Sequence, residues 1–183
     1  MENVNDFWRV CRVVSHKNRL KLLWLLFDVD ELCVCQLTTR IGMTQPNASI
    51  QLRALQSAGL IRFRRKKMNV IYRAEADDRI EFAAPLLEAL RMCCEKPVPL
   101  ESVIRQVTAF THERRMEIVR TLKKGSSSYN QLLEQTGMTT SALSRHLCKL
   151  EKRKVVGKTG GLYRLLKPSG KLGSILLKFA CNG

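Results

Sequence analysis

Over 183 residues, 32 Lys plus Arg stand against 16 Asp plus Glu, a formal charge of +16 that points to a polyanionic partner or surface. The longest apolar run, residues 22–27, is too short to span a bilayer, and the acidic opening, residues 1–6, lacks an apolar signal core, so a cytoplasmic, nucleoid-associated protein is expected and a membrane or secreted one is not. Seven cysteines, an odd number with no CxxC pair, read as reduced thiols instead of a disulfide framework.

The elements follow from periodicity. Residues 3–14 place Val4, Phe7, Trp8, Cys11 and Val14 at helical spacing. Ser15 is positioned to cap a second helix over 16–28, with Leu20, Leu23, Trp24 and Phe27 inward. Asp28, Asp30 and Glu31 favour the start of a third helix over 32–41 through its dipole. Gly42 turns the chain into a fourth helix, 45–57, with Thr44 as cap and Pro46 in the first turn; Gly59 ends it. Strands over 60–65 and 70–74 then flank a turn, Lys66-Lys67-Met68-Asn69, in which Asn69 is the residue suited to a positive φ. With Arg62, Arg64, Arg65 and Arg73 alongside the turn lysines, this hairpin reads as a wing whose cations meet phosphates or a minor groove. A fifth helix covers 78–95 and stops before Pro97 and Pro99.

The order then restarts. Leu100, Val103, Ile104 and Val107 form a stripe like that of the first helix, and Thr111 is placed to cap a helix over 112–123. A link at 125–128 leads to a helix over 129–135, a turn at Gly137 and a helix over 140–153. A shorter wing has strands 155–158 and 162–166 around Thr159-Gly160-Gly161, and a last helix, 169–181, buries Leu172, Ile175, Leu176 and Phe179. The repeat is also literal. Gly42-Met43-Thr44 recurs as Gly137-Met138-Thr139, and Ser49, Leu52 and Leu55 recur as Ser144, Leu147 and Leu150, at an offset of 95 residues. The expected fold is mainly α with small β-hairpin wings: two tandem winged helix-turn-helix domains, 1–96 and 97–183. Charge divides unevenly, with a net +5 over residues 1–97 and +11 over 98–183.

Several stretches resemble one family. Glu31-Leu32-Cys33-Val34-Cys35-Gln36-Leu37 resembles the metal-box sequence of the ArsR/SmtB (arsenic-repressor-like) winged-helix regulators. Ser15-His16-Lys17-Asn18-Arg19-Leu20 is similar to that family's opening segment, Ala58-Gly59-Leu60-Ile61 to its approach to the wing, and Ile71-Tyr72-Arg73 to its second wing strand. Ser144-Arg145-His146-Leu147 is similar to its recognition-helix sequence. The resemblance implies a transcriptional regulator, more in keeping with a repressor, that binds operator DNA and is commonly relieved by a metal, metalloid or redox effector. Family members pair as homodimers through their terminal helices. Here two units share one chain, so the expectation is a monomeric intramolecular pseudo-dimer in place of an obligate homodimer.

The expected base-reading residues are Gln45, Asn47 and Ser49 in the first unit and Thr140, Ser141, Ser144 and Arg145 in the second. Amides suit adenine, Arg suits guanine, and Ser suits either. Ile50 and Gln51 stand where the family has Arg-His: Ile50 touches a thymine methyl, or the first unit reads bases weakly. Arg53, Arg64, Lys66, Lys67, Lys149, Lys158 and Arg164 are phosphate candidates. Cys33 and Cys35 at a helix start suit a soft ion such as As(III), with Cys11, Cys93 or Cys94 as third ligand. The alternative is core packing, since Cys11 and Cys93 lie on apolar stripes. No cofactor is required, and no nucleophilic triad, carboxylate pair or phosphate loop is apparent, so no enzyme is expected. The rival reading is a winged-helix protein-interaction or architectural DNA-binding scaffold without effector sensing. RNA fits less well, because aromatics are only 6% of the chain and fall mostly on apolar stripes.

Overall fold

A computed structural model describes residues 7–182. The expected contribution of Val4 to the first helix, and the acidic opening, lie outside the described residues. The first unit runs α1 (Phe7–Val14), α2 (Lys17–Asp28), β1 (Leu32–Cys33), α3 (Val34–Ile41), α4 (Gln45–Ser57), β2 (Arg62–Lys66), β3 (Asn69–Arg73) and α5 (Ala83–Glu95). The second repeats that order as α6 (Leu100–Thr108), α7 (Glu113–Lys123), β4 (Ser127–Ser128), α8 (Tyr129–Thr136), α9 (Thr140–Lys152), β5 (Val156–Thr159), β6 (Leu162–Leu165) and α10 (Gly170–Asn182).

Each unit has a three-stranded antiparallel sheet in which the second wing strand is central, in the orders β1-β3-β2 and β4-β6-β5. The short outer strand is absent from the sequence reading, which begins the third helix at 32. Leu32 and Cys33 instead pair with Tyr72 and Ile71, and Ser127 and Ser128 pair with Tyr163 and Leu162. The pairing anchors each helix-turn-helix to its own wing. Two residues are too few for a period-2 pattern, so this strand has no signature.

Other boundaries shift for local reasons. The first wing turn is Lys67-Met68, with the positive φ of 55° at Lys67; Asn69 pairs with Lys66 inside the ladder. Helix α5 starts at 83, not 78. Residues 77–80 fold back as a turn, with the Asp77 N–H donating to the Gly59 carbonyl at 2.9 Å. Gly59 has φ 70°, a conformation that favours glycine, and a Cβ there would lie 2.6 Å from Ile80 Cδ1, so a larger residue would have to displace the Ile80 tip. His16, not Ser15, is the N-cap of α2, while Ser15 Oγ donates to the Arg12 carbonyl at the end of α1. His112, not Thr111, caps α7, its Nδ1 accepting the Arg114 N–H at 3.2 Å. In α2 the buried residues are Leu20, Leu22, Leu23 and Leu26, and Trp24 and Phe27 are only half-buried. Phe27 lies under the Arg91 guanidinium at 4.7 Å, where an amphipathic cation covers the ring. Ile175 is likewise half-buried on α10.

One buried apolar cluster runs through both units. Helix α1 packs on α6 and α5 packs on α10. In each case an element meets its own counterpart from the other repeat, as a two-fold interface demands. The chain is therefore an intramolecular pseudo-dimer. At the seam Phe7, Phe82 and Phe179 form an aromatic cluster with centroids 5.2, 5.6 and 6.1 Å apart, within the range of favourable edge and tilted contacts.

Candidate nucleic-acid interface

In both units a left-handed glycine makes the turn between the two helices of the reading motif: Gly42 at φ 69° after α3 and Gly137 at φ 59° after α8. Threonine follows at each N-cap. Thr139 Oγ1 accepts the Ala142 N–H at 3.3 Å, whereas Thr44 makes no such side-chain bond. Apolar residues at i, i+4 and i+7 are buried, as Ala48, Leu52 and Leu55 in α4 and as Leu143, Leu147 and Leu150 in α9. This orients the opposite face outward.

That face carries Gln45, Asn47, Ile50 and Arg53 exposed in α4, with Ser49 half-buried. In α9 it carries Thr140, Ser141, Ser144, Arg145 and Lys149, all exposed. Gln51 does not belong to it. Gln51 is buried and links two partners: its Nε2 donates to Asn47 Oδ1 at 3.0 Å, and its Oε1 accepts from Arg19 Nε at 2.8 Å. Arg19 also donates to the Val13 carbonyl at 3.3 Å. The relay occupies the Asn47 carbonyl oxygen and leaves its NH₂ for other acceptors. In the second unit Tyr129 has an equivalent steering role. Its hydroxyl donates to the Thr140 carbonyl at 2.8 Å and lies 2.8 Å from Ser144 Oγ, bracing the first turns of α9. Neither Arg19 nor Tyr129 carries a sequence signal that marks it for this role. A long polar side chain at the apolar spacing of its helix was the available signal for Gln51.

The wing cations are not equally available. Arg64 Nη2 donates to Glu31 Oε2 at 2.6 Å, holding the Glu31 carboxyl below its ordinary range. Arg62 faces Glu75, Asp77 and Asp78 at 3.5–3.8 Å, and Arg73 pairs with Glu75. Lys66 and Lys67 at the tip are exposed, as is Met68. In the second wing Lys158 lies over the Tyr163 ring at 5.1 Å and Arg164 is exposed.

The thiols have a structural use. Cys33 is the N-cap of α3: its Sγ accepts the Gln36 N–H at 3.4 Å while Gln36 Oε1 accepts the Cys33 N–H at 2.9 Å. At the counterpart position Ser128 makes the same reciprocal capping box with Gln131, at 3.3 and 2.8 Å. Cys35 is exposed. Cys11 and Cys93 are buried in the apolar core, and burial pushes both thiols up, as it does for half-buried Cys94. Among the described residues no group of three His, Cys, Asp or Glu side chains is placed to hold a metal ion. Neither Cys11 nor Cys93 or Cys94 therefore completes the Cys33–Cys35 pair, and the residues do not fit a three-thiolate site within one chain.

Two helix-turn-helix units, each tied to a basic β-hairpin, define a winged-helix DNA-binding regulator. More specifically, the chain belongs to the family described as bacterial regulatory protein, arsR family, which it matches twice, over residues 16–62 and 112–157, about half the chain. It is 36% identical over 62 residues to the arsenical resistance operon repressor of Escherichia coli, covering 34% of this chain and 53% of that protein. It is also 36% identical over 64 residues to the arsenic resistance transcriptional regulator ArsR1 of Pseudomonas putida, covering 35% and 50%. It is 29% identical over 80 residues to a cadmium resistance regulatory protein CadC homolog of Staphylococcus aureus, covering 44% and 65%. The chain thus spans about half to two thirds of the length of these relatives. No helix among the described residues is long and apolar enough to cross a membrane.

Proposed function

We propose that this chain is a transcriptional repressor that binds an asymmetric duplex operator as a monomer, with domains 1–96 and 97–183 each presenting one reading helix. One observation carries this reading: counterpart helices pair within the chain, α1 on α6 and α5 on α10, so two non-identical reading heads share one rigid frame. The half-sites are then about one helical turn, roughly 34 Å, apart. Gln45, Asn47 and Ser49 read one half-site and Thr140, Ser141, Ser144 and Arg145 the other, with Arg145 on guanine and Ile50 on a thymine methyl. Arg53, Lys66, Lys67, Lys149, Lys158 and Arg164 hold phosphates; Arg64 joins them only on release from Glu31.

The arsenic- and cadmium-linked names of the relatives suggest an inducer, yet here Cys33 caps a helix in the role that Ser128 plays in the second unit. We therefore expect operator release by As(III) to be absent. Fluorescence anisotropy on duplex from the protein's own upstream region, against scrambled duplex at two salt concentrations, tests the reading. The expected result is at least tenfold selectivity, and an affinity that falls by roughly 10³ or more between 50 and 200 mM salt, as for about six phosphate contacts. Equal binding of both duplexes would favour the architectural alternative. Release by As(III) in reducing buffer would restore Cys33 and Cys35 as ligands. Light scattering should give a monomer; an obligate dimer would overturn the pseudo-dimeric operator complex.

A further inference from the structure

A cleft of about 480 Å³ opens between α1, α6, α7 and α9. Arg12, His112, Arg115, Lys149 and Arg153 line it, Trp8 forms one wall, and Glu113 is the one carboxylate among its described lining residues. Arg115 is the telling residue. It is only 5% exposed, and arginine is seldom so buried without an anionic partner. Its Nη2 donates to Thr111 Oγ1 at 2.7 Å, a neutral acceptor, and its Nε has no partner. No carboxylate pairs with it among the described residues. Arg153 adds a second guanidinium, fixed by donation to Thr108 Oγ1 at 2.9 Å and to the Lys149 carbonyl at 3.2 Å. Neither acceptor neutralises it. Arg12 stacks beside Trp8, 5.7 Å from the ring centroid.

The cleft therefore gathers two anchored guanidiniums, the exposed cations Arg12 and Lys149, an unused donor and an aromatic wall against a single carboxylate. Burial and the nearby Arg153 lower Arg115 only to about 10, so it keeps its charge at neutral pH. The lining has few acceptors, which excludes a cationic ligand and selects one rich in them. In the first unit the counterpart Arg19 differs: its Nε donates to Gln51 Oε1 and its Nη1 to the Val13 carbonyl, so Nε is not left unpartnered. We propose that this cleft is an oxyanion site that takes an anionic phosphate group, gripped by Arg115 and Arg153 with Arg12 and Lys149 at its rim. Guanidinium forks match the tetrahedral oxygens of a phosphate. The volume also leaves room for a small organic body against Trp8.

Inorganic phosphate is the first probe, titrated calorimetrically into the full chain at constant ionic strength held by chloride. This arm needs no DNA and is independent of the operator reading. One site per chain is expected. Arg115→Lys should weaken it at least tenfold, and so should the double variant Arg12→Gln/Arg153→Gln, which leaves the buried guanidinium in place. Lys171→Gln on α10 should leave it unchanged. Failure to saturate below about 10 mM, the range of weak sites, would overturn the proposal. So would saturable binding that the double variant does not weaken. A second arm adds duplex DNA to the phosphate-loaded chain. Release of one phosphate per chain supports the site and identifies the DNA backbone as its phosphate source. Retention supports the site and identifies a free phosphorylated ligand.

Discussion

The two units are built alike and charged differently, and the contrast is sharpest at matched positions. Where α4 exposes Ile50, at 60%, α9 exposes Arg145. Where α4 buries Gln51 in a closed relay with Arg19, α9 buries His146, whose Nδ1 has no partner and whose ring lies 4.6 Å from His112. Where Cys33 caps α3, Ser128 caps α8. The first unit concentrates its cations on the wing and then ties Arg62, Arg64 and Arg73 to carboxylates. The second places Arg145, Lys149 and Lys152 along its reading helix with no ion pair to any of them among the described residues. Duplication preserved the apolar frame of both copies while the polar groups diverged. The frame is held by packing that both halves share, and a polar position answers only to its own surroundings.

The largest expected effect tests whether the frame is shared at all. Phe179→Ala removes one ring of the Phe7–Phe82–Phe179 seam and should cost about 3–5 kcal/mol. Denaturant unfolding should remain a single transition by both fluorescence and circular dichroism. Two separated transitions in the wild-type chain would mean that the units fold independently.

The next effect separates Gln51 from its counterpart His146. Burial, with His112 and neighbouring cations adding to it, pushes His146 down to about 4 from an ordinary 6.5. Between those values the unfolded chain binds the extra proton, so stability is full above about 6.5 and is lost as pH falls towards 4. At about 1.4 kcal/mol per pH unit, the loss is bounded at roughly 3 kcal/mol. His146→Gln, which installs the first unit's residue, should flatten this slope in denaturant melts between pH 7 and 4.5. An unaltered slope would assign the acid sensitivity to other groups.

Third, Arg145→Ala should weaken operator binding by about 1–3 kcal/mol and relax one base position, while Ile50→Ala should cost less than half as much. Anisotropy on single-base operator variants measures both. Equal losses would make the units equal readers. The smallest effect is at the caps: Cys33→Ser copies the second unit and should leave stability within about 0.5 kcal/mol. A larger loss, seen as a shifted denaturant midpoint, would mean that the thiol has a role a hydroxyl cannot fill.

The frame was legible in the sequence because it obeys periodicities. Leu52 and Leu55, Leu147 and Leu150, and the turn glycines Gly42 and Gly137 all fall where the sequence pattern puts them. What escaped depends on contacts distant in sequence. The strand at Leu32–Cys33 exists only because Tyr72 and Ile71 come alongside it. The burial of Gln51 depends on Arg19, 32 residues earlier, which donates to its Oε1. At 78 the chain makes turns in place of the expected helix, with the Asp77 N–H tied to the Gly59 carbonyl, 18 residues earlier, and the Ile80 N–H donating to the Asp77 carbonyl. The candidate interface follows the same division: which residues face outward was readable from spacing, but which cations are already engaged was not.

The pairing of α5 with α10 also bears on how such a regulator responds to its own abundance. A repressor assembled from separate subunits loses its operator steeply on dilution, because occupancy follows the square of subunit concentration once the dimer dissociates. In a chain that carries its partner covalently, the second half is always present at the high local concentration set by the short link between α5 and α6. If the chain binds its operator as the proposed monomer, occupancy follows concentration to the first power, so it falls less steeply on dilution than that of a dissociating dimer.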